Sequence, residues 1–280
     1  MIIPLHRYLA LLPVALLYGC PMEEKIIFQP ETRLHETPRD VGLPFDDVYF
    51  FTADGVRLNG WFVPRREATS TLLWFHGNAG NISHRLENLK LLHDKIKVNV
   101  FIFDCRGYGQ SGGTVSEEGT YRDGAAAVEL LRRRYGVGAD RSVFFGRSLG
   151  AAVAVEMATR ARSLALILET PFASIRLMAR DKLPFLPIGP LLKTRYDVVE
   201  KIRRISSPLL VLHGDRDEVV PLSHGQLVFD AAPQPKRFYT IAGARHNDTY
   251  LVGGDPYFAA LRQHIESAEA SSRQQNPAAR

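Results

Sequence analysis

The most restrictive feature of the sequence is a regular alternation, from Thr71 onward, of short apolar runs with stretches of helical periodicity. The apolar runs cover residues 71–75, 98–104, 142–146, 164–169, 208–214 and 237–243. The helical stretches cover residues 81–95, 116–135, 149–161, 222–232 and 255–267. Such alternation predicts a mostly parallel β-sheet with helices on both faces, in which the strands are short and apolar because both of their sides are buried.

Two further segments modify this α/β plan. Residues 47–64 form two β-rich runs around Ala53-Asp54-Gly55, which predicts an antiparallel hairpin at one edge of the sheet. Residues 171–207 interrupt the alternation and include Pro184, Pro187 and Pro190, so we interpret them as an insertion that caps the carboxyl edge of the sheet. Ligands of such sheets bind at that edge.

The amino-acid composition limits the functional classes to which this chain can belong. The 280 residues are 45% hydrophobic and 23% charged, which is typical of a soluble globular domain. The net charge is +5, but the sequence has no dense run of basic residues interleaved with aromatic residues, which argues against nucleic-acid binding. Contact with an anionic membrane surface remains open. No His/Cys/carboxylate cluster has metal-ligand spacing, so we expect no metal and no cofactor.

The N-terminus indicates a membrane anchor. A basic start at His6 and Arg7 and a 12-residue apolar run precede Cys20, which is the layout of a signal peptide of the lipoprotein type. Residues 1–19 would then be removed and Cys20 lipidated, placing the protein on the periplasmic or outer-membrane side of a bacterial membrane. The alternatives are an uncleaved apolar anchor and a buried N-terminal helix.

These observations divide the chain into four parts. After residues 1–19 we expect a linker over residues 20–44 and one folded domain over residues 45–266, with the cap at residues 171–207. Residues 267–280 are small and polar, and they predict a fraying helix end followed by disorder.

The residues around Ser148 indicate a catalytic serine. The stretch Gly146-Arg147-Ser148-Leu149-Gly150 lies between an apolar strand and a helical period. A sharp strand-to-helix turn needs small neighbours, and it projects the serine hydroxyl away from the sheet above a helix N-terminus. The alternative is a tight turn with an idle serine.

A serine nucleophile requires a base, and the base requires an acid. His246 follows a strand and a loop late in the chain, while Asp215 and Asp217 follow the strand before it. Glu169 also ends a strand at this edge, where it could be a rival acid, a bracing carboxylate or an anchor for a substrate amine. The chain order Ser, Asp, His is the order expected for this architecture.

An oxyanion formed at Ser148 requires backbone donors. One is the N–H group of Leu149, the residue after the serine. We expect the second to be the N–H group of Asn78 in the loop that follows the 71–75 strand, with Ala79 as the alternative.

Five motifs in order, HGNAGN, FDCRGYGQSGG, GRSLG, HGDRDEVVP and GARHND, resemble the α/β-hydrolase superfamily. Within it they are similar to membrane-associated serine hydrolases that include protein depalmitoylases and prolyl-oligopeptidase-like relatives. The resemblance covers roughly residues 45–265 and implies a catalytic triad of Ser148, Asp217 and His246. The resemblance does not fix the substrate, since esterases, thioesterases, amidases and peptidases share this fold. Our first hypothesis is hydrolysis of an ester or thioester through an acyl-enzyme on Ser148, with a peptidase or amidase and a non-catalytic binding module as alternatives.

The substrate expected from these features is a small molecule or a lipid-like acyl compound. Apolar residues of the cap would line the acyl pocket, or would only pack the cap onto the sheet. The candidates are Phe172, Leu177, Met178, Phe185 and Leu186.

Overall fold

The computed structural model describes residues 22–185 and 189–275. Its centre is one eight-stranded sheet with the order β1-β2-β4-β3-β5-β6-β7-β8. The strands are β1 (Asp46–Phe51), β2 (Arg57–Val63), β3 (Thr71–Phe75), β4 (Asn99–Asp104), β5 (Ser142–Arg147), β6 (Ala165–Glu169), β7 (Leu209–Gly214) and β8 (Lys236–Ile241). Strands β1 and β2 pair antiparallel, β2 pairs antiparallel with β4, and all other neighbours are parallel. The predicted α/β plan, including the hairpin, is therefore confirmed.

Eight α-helices in the described part of the chain surround the sheet. They are α1 (Met22–Ile27), α2 (Leu86–Ile96), α3 (Glu117–Tyr135), α4 (Leu149–Arg160), α5 (Ile175–Lys182), α6 (Val198–Lys201), α7 (Leu222–Ala231) and α8 (Thr249–Gln275). None of the helices in these ranges combines the length and apolarity that a membrane crossing requires.

The core has two halves because side chains alternate across a strand. In β3, Leu73 and Phe75 join one buried cluster, which includes residues of α3, α4 and α7. Leu72 and Trp74 join the other, which includes residues of α2 and α8. Both faces of the parallel strands are therefore covered, which explains why these strands are continuous apolar runs in the sequence.

The segment expected to be a linker is part of the folded domain. Over residues 22–44, Phe28 is 2% exposed, and the Glu23 carboxylate accepts hydrogen bonds from the N–H groups of Lys193 and Thr194 in the cap. Pro30 forms a parallel bridge with Gly80. The prediction failed because these contacts join residues that lie far apart in the chain, which no local pattern reveals. Residues 1–19 and Cys20 lie outside the described residues.

The end of the chain also differs from expectation. Helix α8 begins at Thr249, breaks at Gly254, where φ is 49°, and continues to Gln275. Residues 267–275 are therefore helical and anchored to the domain, where we expected only a fraying helix end followed by disorder. Ala268 is buried in the core, and the Glu269 carboxylate accepts a hydrogen bond from the Thr69 hydroxyl at 2.8 Å. These tertiary contacts stabilise the last turns of α8, although the apolar pattern of this segment is weak.

Candidate active site

Ser148 occupies the turn between β5 and α4. Its φ of 51° and ψ of −116° are unusual for a residue with a side chain, so surrounding packing must hold this backbone. A Cβ at Gly150 would collide with the carbonyl oxygen of Phe75 in β3, and a Cβ at Gly146 would lie 2.6 Å from the Cα of Ala151. The two glycines are therefore required because helix α4 starts in direct backbone contact with the sheet.

The hydroxyl of Ser148 begins a continuous chain of polar contacts. The Oγ atom lies 3.1 Å from Nε2 of His246, and Nδ1 of the same ring lies 2.8 Å from Oδ2 of Asp217. The three residues follow β5, β8 and β7, whose carboxyl ends meet at one edge of the sheet. The structure thus brings together the three side chains that the sequence singled out.

Asp217 is held as an ionised carboxylate. Its Oδ1 accepts hydrogen bonds from the N–H groups of Val219 and Val220, at 2.9 and 2.8 Å. Burial alone would raise the pKa of Asp217, but the imidazoles of His213 and His246 and the Val220 N–H together hold that pKa well below its usual range. Nε2 of His213 lies 3.4 Å from Oδ2 of Asp217. His213 was not predicted as part of the site, although a histidine at the end of a buried strand was a usable signal.

The two rival carboxylates have other contacts. Oδ1 of Asp215 accepts a hydrogen bond from the N–H of Gly243 at 2.7 Å and so braces the neighbouring loop. Glu169 is fully buried, accepts hydrogen bonds from the hydroxyls of Thr249 and Tyr257, and lies 3.5 Å from Nε of Arg147. Of the roles considered for Glu169, the contacts match a bracing carboxylate.

Arg147, which directly precedes Ser148, connects the serine turn to the histidine loop. Its Nη2 donates to the main-chain carbonyl of His246 at 2.7 Å and to Oδ1 of Asn247 at 3.2 Å. Because Glu169 balances the charge of Arg147, the arginine can remain buried while it holds the loop. No role for Arg147 was predicted from the sequence.

The N–H group of Asn78, which the sequence suggests as an oxyanion donor, belongs to a peptide whose carbonyl already accepts a hydrogen bond. Nδ1 of His76 lies 2.7 Å from the carbonyl oxygen of Gly77, which must be the acceptor. In a trans peptide the N–H group points opposite to the carbonyl, so the N–H of Asn78 points away from this hydrogen bond. Gly77 and Asn78 line the same cavity as Ser148 and Leu149. The N–H of Leu149, at the first position of α4, has no acceptor within its own helix.

Both polar atoms of the Asn78 side chain form hydrogen bonds outside the cavity. Its Oδ1 accepts from the N–H of Gln29 and from the hydroxyl of Tyr108, and its Nδ2 donates to the carbonyl of Ile27 at 2.6 Å. The main chain adds a second link, from the N–H of Gly80 to the carbonyl of Gln29. The N-terminal segment therefore fixes the loop that carries the expected oxyanion donor.

A cavity of about 650 Å³ opens above Ser148. Of the predicted pocket residues, Phe172 and Met178 line it, and Leu177 packs against the core instead. Phe185 is 95% exposed because it lies in a turn beyond the end of α5, so its assignment to the pocket is wrong. Leu186 lies outside the described residues. Other apolar lining residues were not predicted, namely Ile27, Ile175, Val219 and Val220.

One group of side chains, of which Glu31 and His84 line the cavity, has the composition of a metal site. Glu31, His35 and His84 offer ligand atoms that all lie within 4.8 Å of one another. The Glu31 carboxylate lies 2.5 Å from Nε2 of His35 and 3.3 Å from Nε2 of His84. These side chains could hold a divalent cation, and sequence spacing did not reveal them because His84 lies 49 and 53 positions from the other two in the chain.

Comparison with known proteins agrees with this geometry. Residues 72–275 match the family model described as the alpha/beta hydrolase family. The chain belongs to the alpha/beta hydrolase family. It is 34% identical to the alpha/beta hydrolase domain-containing protein WAV2 of Arabidopsis thaliana, over 94% of this chain and 93% of WAV2. It is also 34% identical to the protein bem46 of Schizosaccharomyces pombe, over 82% of this chain and 79% of bem46.

The fold of this chain is also found in solved structures of esterases. The Pyrococcus furiosus esterase Pf2001 superposes with a TM-score of 0.71 at 23% identity, covering 85% of this chain and 98% of the esterase. At this level of identity the similarity shows the fold alone. Membership of the family supports a hydrolase activity with a small-molecule substrate.

Proposed function

We propose that this alpha/beta hydrolase cleaves a carboxylic ester or thioester through an acyl-enzyme formed on Ser148. The observation that carries the proposal is the chain of contacts from Ser148 through His246 to the carboxylate of Asp217. A serine hydroxyl is a weak nucleophile at neutral pH, and a histidine within hydrogen-bond distance is the group that activates it. An idle serine would not need a backbone with a φ of 51° or a histidine held by a buried carboxylate.

Each step of the proposed reaction has a residue suited to it. Oγ of Ser148 attacks the carbonyl carbon while Nε2 of His246 accepts the hydroxyl proton. The carboxylate of Asp217 stabilises the imidazolium, and the N–H groups of Leu149 and Asn78 stabilise the oxyanion. His246 then donates its proton to the departing alcohol or thiol. A water molecule, deprotonated by His246, hydrolyses the acyl-enzyme and regenerates Ser148.

The walls of the cavity support an acyl substrate. The cavity beside Ser148 is lined by Phe172, Ile175 and Met178 from the cap and by Ile27 from the N-terminal segment. Apolar walls with a few polar groups near the reacting serine are typical of small-molecule sites. The Pyrococcus furiosus neighbour is an esterase, which is consistent with this proposal at the level of the fold.

We further propose that Cys20 is lipidated and holds the enzyme at a membrane surface. The support is the apolar run that ends just before Cys20 in the sequence. The Cys20→Ser variant should give an unprocessed precursor or a soluble form, as measured by intact mass and membrane fractionation. Unchanged mass and unchanged membrane retention would favour an uncleaved anchor.

A substrate panel tests the proposed reaction. Purified enzyme is assayed on matched acyl esters, acyl thioesters and amino-acid amides, with Ser148→Ala as the control for each substrate. We expect Ser148-dependent turnover of esters or thioesters well above that of amides. A preference for amides would make the enzyme a peptidase or amidase, and no Ser148-dependent turnover of any class would favour a binding module.

A further inference from the structure

Two guanidinium groups line the cavity beside Ser148, and they differ in how their charge is balanced. Arg147 lies 3.5 Å from the buried carboxylate of Glu169 and donates to the histidine loop. Arg85 forms no ion pair with any of the described residues. Its Nη2 donates only to main-chain carbonyls, at 2.7 Å to Ala79 and 3.4 Å to Asn78, and its buried Nε has no hydrogen-bond partner in the described part of the chain.

The surroundings of Arg85 do not favour an isolated positive charge. Loss of hydration and then the nearby charge of Arg147 lower the pKa of Arg85 to about 10, so the group remains charged at neutral pH in a position that destabilises the charge. A partly dehydrated charge without a counter-charge is costly to a protein, so a bound anion would stabilise the charged Arg85.

The described acidic groups near the cavity form no ion pair with Arg85. Glu31 is the one carboxylate among the described residues that line the cavity, and it faces the imidazoles of His35 and His84. Asp104 attracts Arg85 through space without pairing with it. Its Oδ1 accepts from the N–H of Ile82 and lies 3.4 Å from Nε2 of His76, while its Oδ2 has no hydrogen-bond partner among the described residues. Burial also raises the pKa of Asp104, which weakens its value as a counter-charge.

We propose that the cavity takes an ester that also bears an oxyanionic group, such as a carboxylate, and that Arg85 binds this group. The proposal rests on the esterase function above and specifies its substrate class. An arginine offers several N–H donors in one plane, and pairing with a carboxylate oxygen gives a short, charge-assisted hydrogen bond. The anion would restore the missing counter-charge of Arg85 and fix the substrate relative to Ser148.

The competing explanation is that Arg85 only supports the oxyanion loop through the carbonyls of Asn78 and Ala79. The two roles predict different kinetics. A supporting role affects charged and neutral substrates equally, whereas anion binding changes the ratio of kcat/KM between them.

Two matched substrate pairs test the proposal and locate the anion. The first pair, para-nitrophenyl hemiadipate and para-nitrophenyl heptanoate, varies the charge on the acyl chain. The second pair, para-carboxyphenyl heptanoate and para-acetylphenyl heptanoate, varies the charge on the leaving group of the ester. We expect the wild-type enzyme to prefer the anionic member of at least one pair, and Arg85→Gln to reduce that preference roughly tenfold to hundredfold.

Control variants separate the anion effect from loss of structure. Arg245→Gln removes the same charge from the exposed neighbour of His246, outside the cavity lining, and should leave the preference unchanged. Arg85→Lys keeps the charge and should retain part of the preference, with thermal unfolding recorded for every variant. Equal kcat/KM for both members of both pairs in the wild-type enzyme, or a preference that Arg85→Gln does not change, would overturn the proposal.

A binding measurement keeps this test independent of the proposed function. In the Ser148→Ala variant, calorimetry measures affinity for para-nitrophenyl hemiadipate and para-carboxyphenyl heptanoate with and without Arg85→Gln. Loss of binding on Arg85→Gln supports the anion site even if no ester is hydrolysed. Binding of neither anionic ester, or binding of equal strength in both backgrounds, contradicts it.

Discussion

The guanidinium group of Arg147 donates to the main-chain carbonyl of His246 at 2.7 Å, so the residue beside the proposed nucleophile also fixes the loop of the proposed base. The same guanidinium is balanced by Glu169, whose carboxylate in turn accepts hydrogen bonds from Thr249 and Tyr257. The serine turn, the histidine loop and the start of α8 are thereby joined by one buried polar network. Geometry at Ser148 therefore depends on groups outside the proposed triad.

Replacing Glu169 with Gln should lower stability more than catalysis. The change leaves Arg147 buried without its counter-charge, which costs about 3 kcal/mol or more of unfolding free energy. Because Arg147 can still donate to the carbonyl of His246, we expect kcat to fall less than about tenfold, or about 1.4 kcal/mol of barrier. Urea unfolding and kcat on one activated ester give the two values, with the exposed Glu266→Gln as the control. A fall in kcat exceeding that of Asp217→Asn would mean that Glu169 is the catalytic acid.

Replacing Asp217 with Asn should reduce kcat by about 10²–10⁴ with little change in KM. The asparagine oxygen can still accept from Val219 and Val220, but its amide faces Nδ1 of His246 and favours the wrong imidazole tautomer. In serine proteases the same change lowers kcat by about 10⁴. Asp215→Asn, which removes only the contact to Gly243, should cost less than about tenfold. Equal losses for the two variants would argue against Asp217 as the orienting acid.

The depressed pKa of Asp217 predicts a pH dependence of stability. A carboxylate whose folded pKa lies below its unfolded value stabilises the fold above the unfolded pKa of about 3.9, and this contribution is lost as pH falls toward the folded pKa. The unfolding free energy of the wild type, relative to Asp217→Asn, should decrease as pH falls from about pH 5 to about pH 3, where the carboxylate is the group that titrates. Urea unfolding across this range measures the difference. An increase of the difference toward acid pH would contradict the assignment.

Met178 should limit the length of the acyl chain. It lines the cavity from α5, as Phe172 does from the preceding loop, so Met178→Trp should shorten the longest chain that is hydrolysed efficiently. The exposed Phe185 provides the control, and Phe185→Ser should leave the chain-length profile unchanged. The measurement is kcat/KM over a series of para-nitrophenyl esters. A uniform loss for all chain lengths together with a lower Tm would mean that Met178 only packs the cap.

Features that depend on local pattern could be predicted from the sequence. The periodicity of strands and helices predicted a mostly parallel sheet, and the glycines around Ser148 indicated the sharp turn because only small residues fit where α4 meets β3. The placement of His246 and Asp217 after adjacent strands followed from topology, since parallel strands end at one edge.

Features that depend on long-range contacts could not be predicted. Asn78 pairs with Ile27 and Gln29 across about fifty positions, so the N-terminal segment looked like a linker. Arg85 lay in a helical period and resembled an ordinary surface arginine, because nothing in its neighbours reveals that its side chain lines the cavity. Phe185 was wrongly assigned to the pocket because it is apolar and lies in the cap. Hydrophobicity alone does not show whether a turn residue faces the cavity or the solvent.

The central claim is that Ser148 is a nucleophile activated by His246, and covalent labelling tests it most directly. The wild-type enzyme, Ser148→Ala and His246→Ala are treated with a fluorophosphonate probe, and the modified peptide is identified by mass spectrometry. We predict one adduct, on Ser148, that is absent from Ser148→Ala and strongly reduced in His246→Ala. An adduct on another residue, or labelling that survives in Ser148→Ala, would contradict the claim.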